Sequence, residues 1–185
     1  QRTDSNGDNI DNLKYNYTYA GTNRLNSVRD NVSSSFSSTD IDDQLPNNYE
    51  YNVLGQLTLN KQETTHYVYN TQGLVTEIRQ GNLNPSLANN IVKFFYNEMG
   101  HRVRKESTFN GNTNTTYYVL DAAGNAMAIY NKAGTGGAIT QTEMPIYGAS
   151  RLGMYMKDSD VKNYQITDHL GNVRAVAQKN GSIVT

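Results

Sequence analysis

The chain has no cysteine and no tryptophan, and only three histidines and three prolines in 185 residues. Without cysteine there is no disulfide scaffold, no thiol nucleophile and no Cys-ligated zinc. An excess of charge of either sign is also missing: 16 Lys and Arg face 17 Asp and Glu, leaving −1. A nucleic-acid surface needs a Lys/Arg surplus or a basic cluster. The densest basic stretch, Arg102, Arg104 and Lys105, is short and stands next to Glu106, which reads as a solvated strand face. No apolar run approaches the ~18–20 residues of a membrane span, and no signal-peptide pattern is legible in these residues. The first residue is Gln1 rather than Met, so the sequence is expected to be cut from a longer one. Hydrophobic residues make up 36%. Globular domains carry roughly 45–50% on a count that includes Gly, so a thin core is expected. No amphipathic helix longer than two turns is legible, because Gly171 interrupts the apolar residues between Ile166 and Ala177.

What is abundant is tyrosine, with 14 residues. It suits a sheet with one wet face, because the ring packs while the hydroxyl reaches water. The tyrosines fall in a recurring phrase, Tyr-x-Tyr-Asn, two residues, Gly, and an apolar residue two places on. Tyr49 to Leu57 is one copy, with Tyr51, Asn52 and Gly55 at its fixed places; Tyr67 to Val75 is another, with Tyr69, Asn70 and Gly73. Phe94 to Gly100 gives Tyr96, Asn97 and Gly100, with Arg102 where the apolar residue belongs. Tyr118 to Ala126 gives Asp121 and Gly124, with Leu120 for the second tyrosine. Tyr164 to Val173 gives Asp168 and Gly171 with one extra residue, and Tyr17 to Leu25 puts Asn23 at the glycine place.

The phrase has a mechanical meaning. Tyr67 and Tyr69 are two apart and share one side of a strand. Asn70 opens a turn by bonding its own backbone two residues on. Gly73 stands where a type I turn followed by a left-handed residue needs positive φ. Each copy is therefore read as a β-hairpin, and turns are expected near residues 52–55, 70–73, 97–100 and 121–124. An isolated hairpin is marginal in water, so the hairpins must stand side by side, with Tyr51, Tyr69 and Tyr96 on one face. The uneven spacing of the turn glycines suits a meander with variable loops better than a strict solenoid. Loops are read at 33–48, 80–90 and 132–137.

Two further phrases carry a resemblance. Tyr147-Gly148-Ala149-Ser150-Arg151-Leu152-Gly153 and Thr167-Asp168-His169-Leu170-Gly171-Asn172-Val173-Arg174 follow the tyrosine repeats. Together they resemble the bacterial Rhs/YD-repeat proteins, with the Rhs repeat-associated core region at the end, and the teneurin-like YD shell. The resemblance covers roughly residues 15–185. It implies an all-β fold, an array of antiparallel β-hairpins forming part of a spiralling β-shell. It divides the chain into a polar segment, 1–14, YD-repeat hairpins, 15–146, with a loop at 33–48, and the start of the core-associated region, 147–185, whose end is missing. The implied role is structural and non-enzymatic. The segment encloses or displays a C-terminal effector, in a secreted or cell-surface polymorphic toxin. The alternative role is a cell-surface module that binds a carbohydrate or a partner. The implied partners are the rest of the same polypeptide shell, a C-terminal toxin cargo, and a surface glycan or the secretion machinery, with no nucleic acid and no membrane span. Such toxins end in an Asp-Pro-containing plug, whereas Pro46, Pro85 and Pro145 follow Leu45, Asn84 and Met144. Any self-cleaving residues and any toxin are therefore expected beyond Thr185.

Candidates for chemistry are few, and no cofactor is expected. Asp168 and His169 could suggest an acid–base dyad, but neighbours in a strand face opposite sides, and His169 reads as a turn residue. The serines at 33–38 lack a Gly-x-Ser-x-Gly elbow and read as loop. Asp4-Ser5-Asn6-Gly7-Asp8 resembles the start of a calcium loop, yet the sixth and twelfth places hold Asn9 and Tyr15 instead of Gly and an acid. Asp40, Asp42 and Asp43 read as a solvated acidic loop. No nucleophile–base–orienter set appears, so an enzyme is the weakest alternative.

Overall fold

The computed structural model describes residues 2–3, 7, 9–17, 21–32, 43–178 and 183–184. The calcium-like segment at 4–8, apart from Gly7, the loop from 33 to 42 with Asp40 and Asp42, and Thr18 to Ala20 lie outside them. Among the described residues every regular element is a strand except one 3₁₀ turn at Pro85–Leu87. The chain divides into two compact units, Gln1–Ile91 and Val92–Thr185.

In the first unit β1 (Arg2–Thr3) pairs with β2 (Asn9–Asp11), and β3 (Leu13–Tyr17) with β4 (Leu25–Asp30). β5 (Tyr49–Tyr51), β6 (Leu57–Asn60), β7 (Thr65–Tyr69) and β8 (Val75–Gln80) then form an antiparallel meander, each strand beside the next. β9 (Asn90–Tyr96) begins at the boundary. The second unit continues with β10 (Arg102–Phe109), β11 (Asn112–Leu120), β12 (Ala126–Ala133), β13 (Ile139–Tyr147), β14 (Arg151–Met156), β15 (Val161–Thr167), β16 (Val173–Gln178) and β17 (Ile183–Val184). These too lie in sequence order, antiparallel throughout. The fold is an all-β array of antiparallel hairpins, and the turns stand where the Asn/Asp-x-x-Gly phrases place them.

The core is as thin as the composition requires. Val28 is the one buried hydrophobic side chain among the described residues, whereas Asp11, Ser27, Asp30, Gln44, Asn48, Thr65 and Thr115 are buried and polar. Buried polar groups need partners, and the segment 43–48 shows how they find them. Gln44 donates its backbone N–H to the Val28 carbonyl (3.0 Å), and its Oε1 accepts the Val28 N–H (2.8 Å). Asp43 Oδ1 accepts the Asp30 N–H (3.1 Å), and Asp43 Oδ2 is ion-paired to Arg29 (2.7 Å). Asn26 and Asn47 exchange two bonds of 2.7 Å. Side-chain oxygens thus stand in for the carbonyls of a neighbouring strand and cover an edge of β4, which a bare edge would otherwise leave open to mispairing. Asp43, read from sequence as part of a solvated acidic loop, is therefore a structural residue.

Arg102 and Arg104 also differ from a simple solvated face. The Arg102 guanidinium lies 5.4 Å from the Phe94 ring centre and 5.1 Å from that of Tyr118, and Arg104 lies 3.7 Å from that of Phe95. Arg102 replaces an apolar residue in the phrase because its planar group covers aromatic faces, an attraction of about 0.5–1 kcal/mol at exposed sites.

Candidate functional site

The feature built most consistently is the repeated turn. In the Asn52 turn the side-chain Oδ1 accepts the N–H of Leu54 (3.0 Å) and of Gln56 (3.0 Å). Asn70 accepts from Gln72 (3.0 Å) and Leu74 (2.9 Å), and Asn97 from Met99 (3.1 Å) and His101 (2.9 Å). Asp121 accepts from Ala123 (2.9 Å) and Asn125 (2.8 Å), and Asp168 from Leu170 (3.0 Å) and Asn172 (2.9 Å). In each turn the glycine N–H returns to the carbonyl of the Asn or Asp at 3.0–3.1 Å, and the Asn or Asp N–H reaches the carbonyl four residues on at 2.9 Å. The glycines have φ between +80° and +87°, the left-handed bulge position that closes a type I hairpin turn. One oxygen thus organises two amides that the short loop cannot satisfy by strand pairing.

The bond two residues on was legible in the phrase, but the bond four residues on was not. Nor was the pairing of turn types. Where the turn opens with Asp, the residue after glycine is Asn, and its Nδ2 donates to the second carboxylate oxygen: Asn125 to Asp121 (2.9 Å) and Asn172 to Asp168 (3.1 Å). These bonds hold both carboxyls below their ordinary value of 3.8, the side-chain bond from the asparagine first and its backbone N–H second. Asp168 is committed to the turn, and His169 stands exposed at its tip.

The second tyrosine of the phrase ties hairpins together. Tyr51 donates its hydroxyl to the Leu25 carbonyl (3.0 Å), and Tyr69 donates to Leu57 (2.8 Å). Leu25 and Leu57 are the same place in consecutive phrases, the first residue of the return strand. Burial pushes the Tyr51 and Tyr69 phenols above 10.0. Tyr147 makes the same bond to the Ala126 carbonyl (3.1 Å), the equivalent place after Gly124. The Tyr147–Gly153 phrase, which carries the resemblance in sequence, therefore also supplies the hook for the Asp121 hairpin. In the last copy the strand slips between Ile166 and Thr167, as it does between Val68 and Tyr69. Thr167 thus occupies the second-tyrosine place, which explains the extra residue.

The remaining motif residues have plain positions. Gly148 donates to the Ser150 carbonyl (2.9 Å), and Arg151 is exposed with a guanidinium nitrogen 3.9 Å from Met154 Sδ. A Cβ at Gly153 would run into the Asn163 carbonyl oxygen, so only glycine lets β15 approach there. Arg174 is exposed on β16. Tyr96 and Asn97 end β9 and open its turn at Gly100.

No group of His, Cys, Asp or Glu among the described residues could hold a metal ion, and no helix among them is long and apolar enough to cross a membrane. The clefts are open. One of about 300 Å³ is lined by Arg24, Asn26, Asn47, Tyr49, Glu50, Tyr51 and Lys61, but its polar groups are largely bonded to one another. Another of about 420 Å³ crosses β13 to β15, with Met144, Ile146, Tyr155, Asp160, Lys162 and Tyr164 around it. There Tyr155 donates to Asp160 (3.0 Å), a bond that raises its pKa above 10.0. The chain matches no protein-family model and no curated protein.

Proposed function

We propose that this chain is a wall segment of an Rhs-type β-shell that encloses or displays a C-terminal effector in a secreted or surface protein. The observation that carries the reading is the tyrosine hook. Tyr51, Tyr69 and Tyr147 each bond the same place in the neighbouring hairpin, so three pairs of neighbouring hairpins are fastened together. Such fastening suits a wall, which must hold together without a second layer behind it. The thin core points the same way, as do the Rhs-like phrases at Tyr147–Gly153 and Thr167–Arg174.

The test is limited proteolysis of the polypeptide that carries this sequence. A region after Thr185 that resists protease while the hairpins are folded, and is cut once they are unfolded, supports enclosure. A following region cut at the same rate in both states, or no following region, overturns it. A second reading, a surface module that binds carbohydrate, has the open cleft with Tyr155, Tyr164, Asp160 and Lys162 on its side. A glycan array with the 185-residue chain checks it, and binding lost in Tyr164→Ala would favour it.

A further inference from the structure

The glycine of a turn does a second job beyond adopting positive φ. A Cβ built on Gly124 would lie 2.5, 2.6 and 2.7 Å from Cε1, Nδ1 and Nε2 of His101, so the imidazole lies flat against this residue. Gln56 Nε2 stands 3.2 Å from the same point on Gly73. Arg24 Nη2 and Nε stand 3.5 and 3.7 Å from that on Gly55. His101, Gln56 and Arg24 occupy one place in the phrase, directly after the Gly or Asn of the preceding hairpin. All three end in a planar polar group. Arg24 adds a bond from Nη2 to the Val53 carbonyl at the tip of the turn it covers (3.4 Å).

The Gly171 turn is built the same way, with φ +84°, yet nothing among the described residues comes within 4 Å of a Cβ placed there. The hairpin before it turns through Tyr147–Arg151, which has no residue at the covering place. Asn172, which follows Gly171 itself, is folded back onto Asp168 (3.1 Å), as Asn125 is onto Asp121. Around it, Ile166, Leu170 and Val173 are 52%, 74% and 48% exposed. The turn opens with a carboxylate where the Arg24-covered turn opens with the neutral Asn52.

We propose that the Asp168–Gly171 turn is a docking seat for an arginine side chain of a partner polypeptide segment. The guanidinium lies on Gly171 as Arg24 lies on Gly55, and donates to the His169 carbonyl as Arg24 does to that of Val53. Planarity selects Arg over Lys, since only a flat cation can cover the glycine and reach the carbonyl together. Asp168 adds charge attraction, and Leu170 and Val173 take the apolar stem of the arginine. The inference goes beyond the wall reading and stands whether or not a cargo is enclosed.

The experiment is an NMR titration of the 185-residue chain with acetyl-Gly-Arg-Gly-amide, and with the Lys and Leu versions of the same peptide. The arginine peptide is expected to shift the Leu170, Gly171 and Asn172 amides saturably, with a dissociation constant on the order of 1 mM or weaker. The lysine peptide should shift them several-fold less and the leucine peptide not at all. Gly171→Ala fills the seat and should abolish the response, while Gly134→Ala, in another open turn, should not. Asp168→Asn keeps the turn cage, as Asn70 shows, and should weaken the response several-fold without removing it. Equal responses to Arg and Lys, no movement of these three amides, or an undiminished response in Asp168→Asn would each overturn the proposal.

Discussion

At the scale of a residue, the molecule relies on one side-chain oxygen per turn. Asn70→Ala removes the acceptor for the Gln72 and Leu74 amides and is expected to cost about 1–2 kcal/mol. Asn70→Asp, which keeps the oxygen, should cost less; urea denaturation of both variants checks the order. The two Asp turns add a pH dependence. Their carboxyls are held below 3.8 by the bonds of Asn125 and Asn172. The stabilisation is therefore fully present above 3.8 and is lost as pH falls through the lower folded value. Asp121→Asn should lower stability at pH 7 towards its acid value and flatten its dependence on pH, read from melting temperature against pH between about 2 and 7. An acid loss the same in both proteins would refute the assignment. The opening Asn or Asp was legible in the sequence because the turn is local and its glycine is three residues away. The Asp–Asn partnership is equally local, but shows only when two copies, 121–125 and 168–172, are compared for which residue follows glycine.

At the scale of the element, the hairpins are fastened by contacts that no single phrase contains. Tyr69→Phe deletes the hydroxyl bond to Leu57 while keeping the ring, and should cost about 1 kcal/mol. Hydrogen exchange should quicken in β6 as well as in β7 if the bond truly joins the two hairpins. Gly124→Ala and Gly171→Ala carry the same backbone strain, since φ is +87° and +84°, but only the first meets a side chain. Gly124→Ala should therefore be the more destabilising by about 1–3 kcal/mol, the usual cost of overpacking. His101→Ala in the Gly124→Ala background should close most of that gap. These ties were not legible from sequence because Tyr51 reaches Leu25, Tyr69 reaches Leu57 and Tyr147 reaches Ala126 across loops of unequal length. The hook of Tyr147 was hidden for a further reason: Gly148 rather than Asn or Asp follows it, so it carries the hook without the turn. The edge cover of β4 was hidden likewise, because Asp43 and Gln44 imitate a strand with side-chain atoms, and an acidic, polar stretch reads as solvated.

At the scale of the whole molecule, the proposed role rests on the balance between core and neighbour contact. Composition foretold the shortage of buried apolar side chains, and Val28 alone fills that role among the described residues. Stability in such an array is close to a sum of hairpin and nearest-neighbour terms, which lets the array be extended without a growing core. That property suits the proposed wall. The wall reading is tested most directly by electron cryomicroscopy of the polypeptide that carries this sequence. The account predicts a closed, hollow particle whose wall is one sheet thick, with the Asn52, Asn70, Asn97, Asp121 and Asp168 hairpins in that wall. A solid particle, with a second layer of secondary structure packed against these hairpins, would contradict it.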